Sequence, residues 1–98
     1  MSFYVYILKC SDGSYYTGHT DNLEARLVQQ ERGEITGYTS RHLPVRLVWT
    51  EMFSSRQDAF ERERQIKGWS RAKKQALIQG DWERLIGLSR AHGSTGSP

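Results

Sequence analysis

The chain has 98 residues, of which 37% are hydrophobic and 26% charged, with a net charge of +3 and a mean hydropathy of −0.69. That size leaves room for one domain of ordinary dimensions, and the composition is too apolar for a disordered tail and too polar for a membrane protein. The longest apolar stretch, Phe3 to Leu8, falls far short of the ~20 residues of a spanning helix, no secretory leader is readable, and the single Cys10 excludes an internal disulfide and a cysteine metal cluster.

Residues 3–9, rich in aromatic and β-branched side chains, read as a strand, and apolar residues on both of its faces make it a central one. Ser11-Asp12-Gly13-Ser14 is a turn, and Tyr15 to Thr17 returns as a second strand ended by Gly18. Thr20 or Asp21 can cap a helix carrying Leu23 and Leu27 on one face, with Gly33 as its stop. Residues 33–43 read as loop around Gly37, and Pro44 opens a third strand, Val45 to Thr50. Ser54 or Ser55 caps a second helix running to Lys67, Ser70 caps a third ending at Gly80, and Asp81 caps a short fourth. The order β-β-α-β-α-α-α implies an α+β fold, a three-stranded antiparallel sheet flanked by helices. Residues 1–90 form the expected domain and 91–98, rich in Gly and Ser, the expected disordered tail.

Charge is concentrated. Residues 56–74 hold seven basic side chains against three acidic ones, while residues 1–55 hold five against six and the remainder balances. A compact basic segment points to an anionic partner, of which nucleic acid is the commonest, or else to a solvated helix face. Within it Glu63 is anomalous. Its helical neighbours Ala59, Phe60, Ile66 and Lys67 place it in the apolar stripe, where a carboxylate is costly unless paired or bound to a metal. The alternatives are an ion pair with Arg26 or another base, and a catalytic or metal-binding carboxylate in a cleft.

Tyr6 and Tyr16 lie on the two arms of one hairpin, so their hydroxyls can converge on one face or simply pack in the core. Gly18 allows a close backbone approach, or serves as a plain strand-to-helix turn. His19 adjoins it as a loop histidine or a proton carrier. Arg26 either reaches toward this sheet end or is solvated. Trp69 offers a stacking surface for a base, or an anchor between the second and third helices.

Taken together, Tyr4-Val5-Tyr6, Tyr16-Thr17-Gly18 about ten residues on, Arg26 and a helical Glu63 resemble the GIY-YIG nuclease superfamily. The stretches YVYILKCSDGSYYTGHTDNLEARL, PVRLVW and ERQIKGWSRAKKQALIQGDW are similar to its small, stand-alone bacterial branch, over residues 3 to about 88. The resemblance implies a three-stranded antiparallel sheet with helices and phosphodiester hydrolysis aided by one divalent ion, Mg²⁺ or Mn²⁺. By position it implies tyrosine roles for Tyr6 and Tyr16, a glycine at Gly18, a phosphate-contacting Arg26 and a metal-binding Glu63. His19 stands where some members have lysine, and the asparagine that some members place after the glutamate has no counterpart, because Asn22 is the chain's one asparagine.

On this reading Tyr6 accepts the proton, with its pKa lowered by a neighbouring cation. Tyr16 orients water, and His19 relays the proton. Gly18, Arg26, Arg64, Lys67, Arg71, Lys73 and Lys74 contact the phosphate backbone of DNA, with RNA as the other possible polymer. The protein is then a cytoplasmic endonuclease of repair or nucleic-acid turnover, a monomer or weak dimer with no membrane attachment. The alternative is a non-catalytic nucleic-acid binding module that keeps the fold.

Overall fold

The computed structural model describes residues 1–32 and 42–96, with side chains through residue 89. The expected helix stop at Gly33, the loop around Gly37, and Arg41 lie outside the described residues. The chain divides into two compact units, Met1–Lys67 and Gly68–Pro98. The elements are β1 (Phe3–Lys9), β2 (Tyr15–Thr20), α1 (Leu23–Glu31), β3 (Arg46–Phe53), α2 (Arg56–Lys67), α3 (Arg71–Gln79) and α4 (Trp82–Gly96). The expected α+β order is the observed one.

The first unit is built on an antiparallel sheet of order β2-β1-β3, so β1 is the central strand, as its two apolar faces imply. Val5, Tyr6, Ile7 and Leu8 are all buried, and each such side chain contributes about 1.5–3 kcal/mol relative to exposure. The hairpin turn is closed by Cys10 N–H donating to the Ser14 carbonyl and Gly13 N–H donating to the Cys10 carbonyl. Asp12 accepts from Ser14 N–H, and Gly13 takes φ 85°, a left-handed conformation that glycine adopts without a Cβ clash.

The strands are longer than their sequence signals. Gly18 does not end β2, because Tyr6 pairs with Gly18, Val5 with His19 and Tyr4 with Thr20. β3 extends to Phe53, paired with Phe3. Once the ladder has formed, each further pair adds hydrogen bonds at little extra cost, and that outweighs the local turn signal.

Neither Thr20 nor Asp21 caps α1. Asn22 does, its Oδ1 accepting from Ala25 N–H at 3.1 Å. Thr20 belongs to the strand, where its Oγ1 accepts from Asn22 N–H, and the Asp21 carboxylate lies 3.4 Å from the Arg56 guanidinium. Ser55 caps α2 through Asp58 N–H.

Alternation sends Tyr4, Tyr6 and Leu8 to one face of β1 and Phe3, Val5 and Ile7 to the other. The first face meets α1. Tyr6, Leu8, Cys10 and Val45 form its buried centre, with Tyr16, Leu23 and Leu27 packed against it. The second face meets α2. Glu51 and His19, the register partners of Val5, contact Arg62 and Glu63, and Arg56 lies over the Phe3 ring.

In the second unit, α3 begins at Ser70, whose Oγ accepts from Lys73 N–H, and ends at Gly80 with φ 69°. Asp81 caps α4, accepting from Arg84 N–H. This helix continues to Gly96 through most of the stretch expected as a disordered tail. Extending an existing helix by a residue is far cheaper than nucleating one.

Candidate active site

Tyr6 and Tyr16 share the α1 face, with ring centroids 6.4 Å apart and planes tilted by 37°. The hairpin register therefore brings the two tyrosines together as expected. Gly18 is opposite Tyr6, and a Cβ there would lie 2.5 Å from the Tyr6 hydroxyl and 2.7 Å from its Cζ. The room Gly18 provides is thus filled by the chain's own tyrosine. Gly18 is itself buried.

Gln30, whose role is not apparent from sequence, adjoins this cluster. It is fully buried, close to the Tyr6 hydroxyl. It lies one turn beyond Arg26 and three residues past Leu27. The logic that exposed Glu63, a polar residue inside an apolar stripe, would have found it.

Burial, reinforced by Tyr16, pushes the Tyr6 phenol up to about 12. Arg26 and Gln30 act in the opposite sense, but they are outweighed. The expected lowering of the Tyr6 pKa is therefore reversed. The cause is enclosure: Tyr6 is 1% exposed, and a phenolate there would lose its hydration. Tyr16 and Arg26 are half-buried.

Glu63 occupies the stripe that periodicity assigned to it, buried with Ala59 and Ile66. Of the alternatives Arg26 or another base, it is other bases, His19 and Lys67, that meet it, since Arg26 belongs to α1 on the opposite sheet face. Glu63 Oε1 accepts from His19 Nδ1, and Oε2 lies 2.8 Å from Lys67 Nζ, one helical turn on. A carboxylate only accepts, so Nδ1 carries the ring proton on this side. The His19 ring is further set by an edge contact with Phe60, at 5.8 Å between centroids.

The two clusters thus arise on opposite faces of the sheet. They are joined at its margin, because β2 is an edge strand and Gly18 and His19 are consecutive, pointing to opposite sides. The result is a polar seam wrapped over β2, with Tyr6, Tyr16 and Arg26 on one side and His19, Glu63 and Lys67 on the other.

The expected phosphate contacts divide between the units. Arg64 and Lys67 are exposed on α2, with Arg64 5.7 Å from the Phe60 ring centre. Arg62 is instead held by Glu51 at 3.3 Å and Gln65 at 2.7 Å. Arg71, Lys73 and Lys74 begin α3 in the second unit, with Arg71 exposed and both lysines half-buried.

Among the described residues no group of three or more His, Cys, Asp and Glu side chains could hold a metal ion. An ion at Glu63 would thus have one carboxylate, at most one imidazole, and otherwise water or substrate oxygens. This donor set fits a hard divalent cation that keeps most of its water. Both Glu63 oxygens already face cationic or proton-bearing groups, so the position favours positive charge. Lys67, 53% exposed, can leave Oε2 without disturbing the core.

No helix among the described residues is long and apolar enough to cross a membrane. Residues 2–76 match the family model described as the GIY-YIG catalytic domain. A UPF0213 protein of Natronomonas pharaonis is 48% identical over 75 residues, covering 76% of this chain and 88% of that protein. One from Staphylococcus haemolyticus is 49% identical over 76 residues, covering 78% and 93%. Among solved structures, the solution structure of a UPF0213 protein from Bacillus halodurans is 40% identical, with a TM-score of 0.55 over 91% of this chain and 98% of that one. With residues 2–76 matched by the family model and most of its length matched in sequence and fold, the chain belongs to the GIY-YIG family of nucleases.

Proposed function

We propose that this protein is a metal-dependent endonuclease that hydrolyses phosphodiester bonds of DNA, including single-stranded or structured forms, in repair or nucleic-acid turnover. The observation that carries this reading is Glu63: a carboxylate buried in an apolar helix stripe and bonded to His19 of the edge strand, across that strand from the paired tyrosines and Arg26. Such a group is expensive to keep for stability alone.

Glu63 would hold Mg²⁺ or Mn²⁺, with water and substrate oxygens completing its shell. The bound ion supplies Lewis-acid stabilisation of charge on the leaving oxygen. Arg26 donates charge-assisted hydrogen bonds to the scissile phosphate and neutralises charge as it develops. Tyr6 packs against Tyr16 and sets its position. The half-buried Tyr16 takes the proton of the attacking water as a phenolate, after its own proton has left to solvent, while His19 on the opposite sheet face stays bonded to Glu63. This exchanges the tyrosine roles expected from sequence, because an enclosed phenol at about 12 is almost never ionised near neutrality. Arg64, Lys67, Arg71, Lys73 and Lys74 supply phosphate contacts, which position a substrate without reading its sequence.

The test is incubation of end-labelled single-stranded, duplex and branched DNA with the protein, in Mg²⁺, Mn²⁺ or chelator. Cleavage that needs the ion is expected. Binding of DNA without cleavage in either metal would overturn the nuclease reading in favour of a binding module.

A further inference from the structure

Between Glu63 and Asp81 the sequence carries Arg64, Lys67, Arg71, Lys73 and Lys74 and not one acidic residue. Trp69 stands in the middle of this run. In the second unit its side chain is half-buried and borders a cleft of about 250 Å³ lined by Gly68, Trp69, Ser70, Lys73 and Leu88. The Lys73 ammonium lies 4.6 Å from the centre of the indole ring. A face of the ring is thus met by a lysine ammonium.

We infer that this cleft binds a single unpaired nucleobase, with Trp69 as the stacking surface and Lys73 as the cation for the flanking phosphate. The inference rests on the nucleic-acid reading above and names the form of substrate that reading leaves open. Stacking of a base on an aromatic ring is worth as much as a cation–π contact or more, so an entering base displaces the ammonium. The lysine stem is long and flexible, and the displaced charge stays within reach of the phosphate beside that base. Leu88 gives the cleft an apolar border, and Ser70 and Lys73 give it a polar one. A base paired in a duplex has both faces covered by its neighbours and cannot enter, so the site selects strands with unpaired nucleotides.

The experiment measures binding of a dye-labelled oligothymidylate, and of a blunt duplex of equal length, in chelator so that nothing is cut. Trp69→Ala is expected to weaken single-strand binding about tenfold and duplex binding less than about twofold. Trp69→Phe is expected to keep most of the affinity. An abasic oligonucleotide of the same length should bind wild type and Trp69→Ala alike. Should Trp69→Ala fail to fold, a Trp49→Phe, Trp82→Phe protein leaves Trp69 as its sole indole, and oligothymidylate must quench its fluorescence more than the abasic strand does. Equal binding of oligothymidylate by wild type and Trp69→Ala, or equal quenching by both strands, overturns the site while the nucleic-acid reading stands. A wild-type protein that binds neither DNA overturns both.

Discussion

Gly18 and Tyr6 constrain each other atom by atom. A methyl group at position 18 would press on the Tyr6 hydroxyl at 2.5 Å and on Cζ at 2.7 Å, in a core that cannot yield much. Gly18→Ala is therefore expected to destabilise the protein by about 1–3 kcal/mol. Combining it with Tyr6→Phe, which removes the nearer atom, should recover part of that loss. Chemical denaturation of the two single variants and the double variant measures the coupling, and strict additivity would contradict the contact. The same enclosure has a pH signature. The Tyr6 phenol is raised to about 12 in the folded chain from about 10 in an unfolded one. The folded state thus retains a proton that the unfolded state has lost. The contribution to stability is complete below pH ~10 and disappears as pH rises toward about 12, an effect on the order of 2–3 kcal/mol. Thermal melts between pH 9 and 12 should show a steeper fall for wild type than for Tyr6→Phe. Parallel curves would contradict the burial of this phenol.

At the level of elements, α2 carries the site because one register of its helix holds Ala59, Glu63 and Ile66 against the sheet. That register was legible from 3.6-residue periodicity, as were the capping of α2 by Ser55 and of α3 by Ser70. What periodicity could not supply was the partner of Glu63. Arg26 and His19 are both basic and both plausible in a linear reading. The choice is made by strand alternation, which turns His19 to the α2 face once β2 continues through Gly18. The sequence reading ended β2 at that glycine, since glycine's turn preference says nothing of the Tyr6 ring that needs the space. Gln30 escaped notice for a related reason: its burial depends on a tertiary partner on β1. The same helix geometry places Lys67 2.8 Å from Glu63 Oε2, where it competes with any divalent ion. Lys67→Gln is thus expected to tighten Mn²⁺ binding several-fold at low salt, on the order of the ~1 kcal/mol typical of such a pair. Isothermal titration in the absence of nucleic acid reads this directly, and unchanged or weaker binding would contradict it.

For the molecule as a whole, the order of strands and helices and the family were readable from the chain because many weak signals agreed. The tyrosines on two hairpin arms, the helix caps and the misplaced glutamate each have ordinary explanations alone, and their joint order does not. The assignment of roles within the site was less legible. The ionisation of Tyr6 depends on how completely Gly18, Tyr16 and Gln30 enclose it, and enclosure is a property of the packed fold. The central claim is that Glu63 exists for chemistry. It is tested most directly by comparing wild type with Glu63→Gln, which preserves the side chain's shape, in cleavage of labelled single-stranded, duplex and branched DNA with Mg²⁺ or Mn²⁺, alongside circular dichroism of both proteins. The account expects ion-dependent cleavage by wild type, its loss by at least about 10²-fold in Glu63→Gln, and the same folded spectrum for both. Cleavage undiminished in Glu63→Gln, or a variant that unfolds beside a wild type that cuts nothing, would contradict it and leave Glu63 as the buried half of an ion pair.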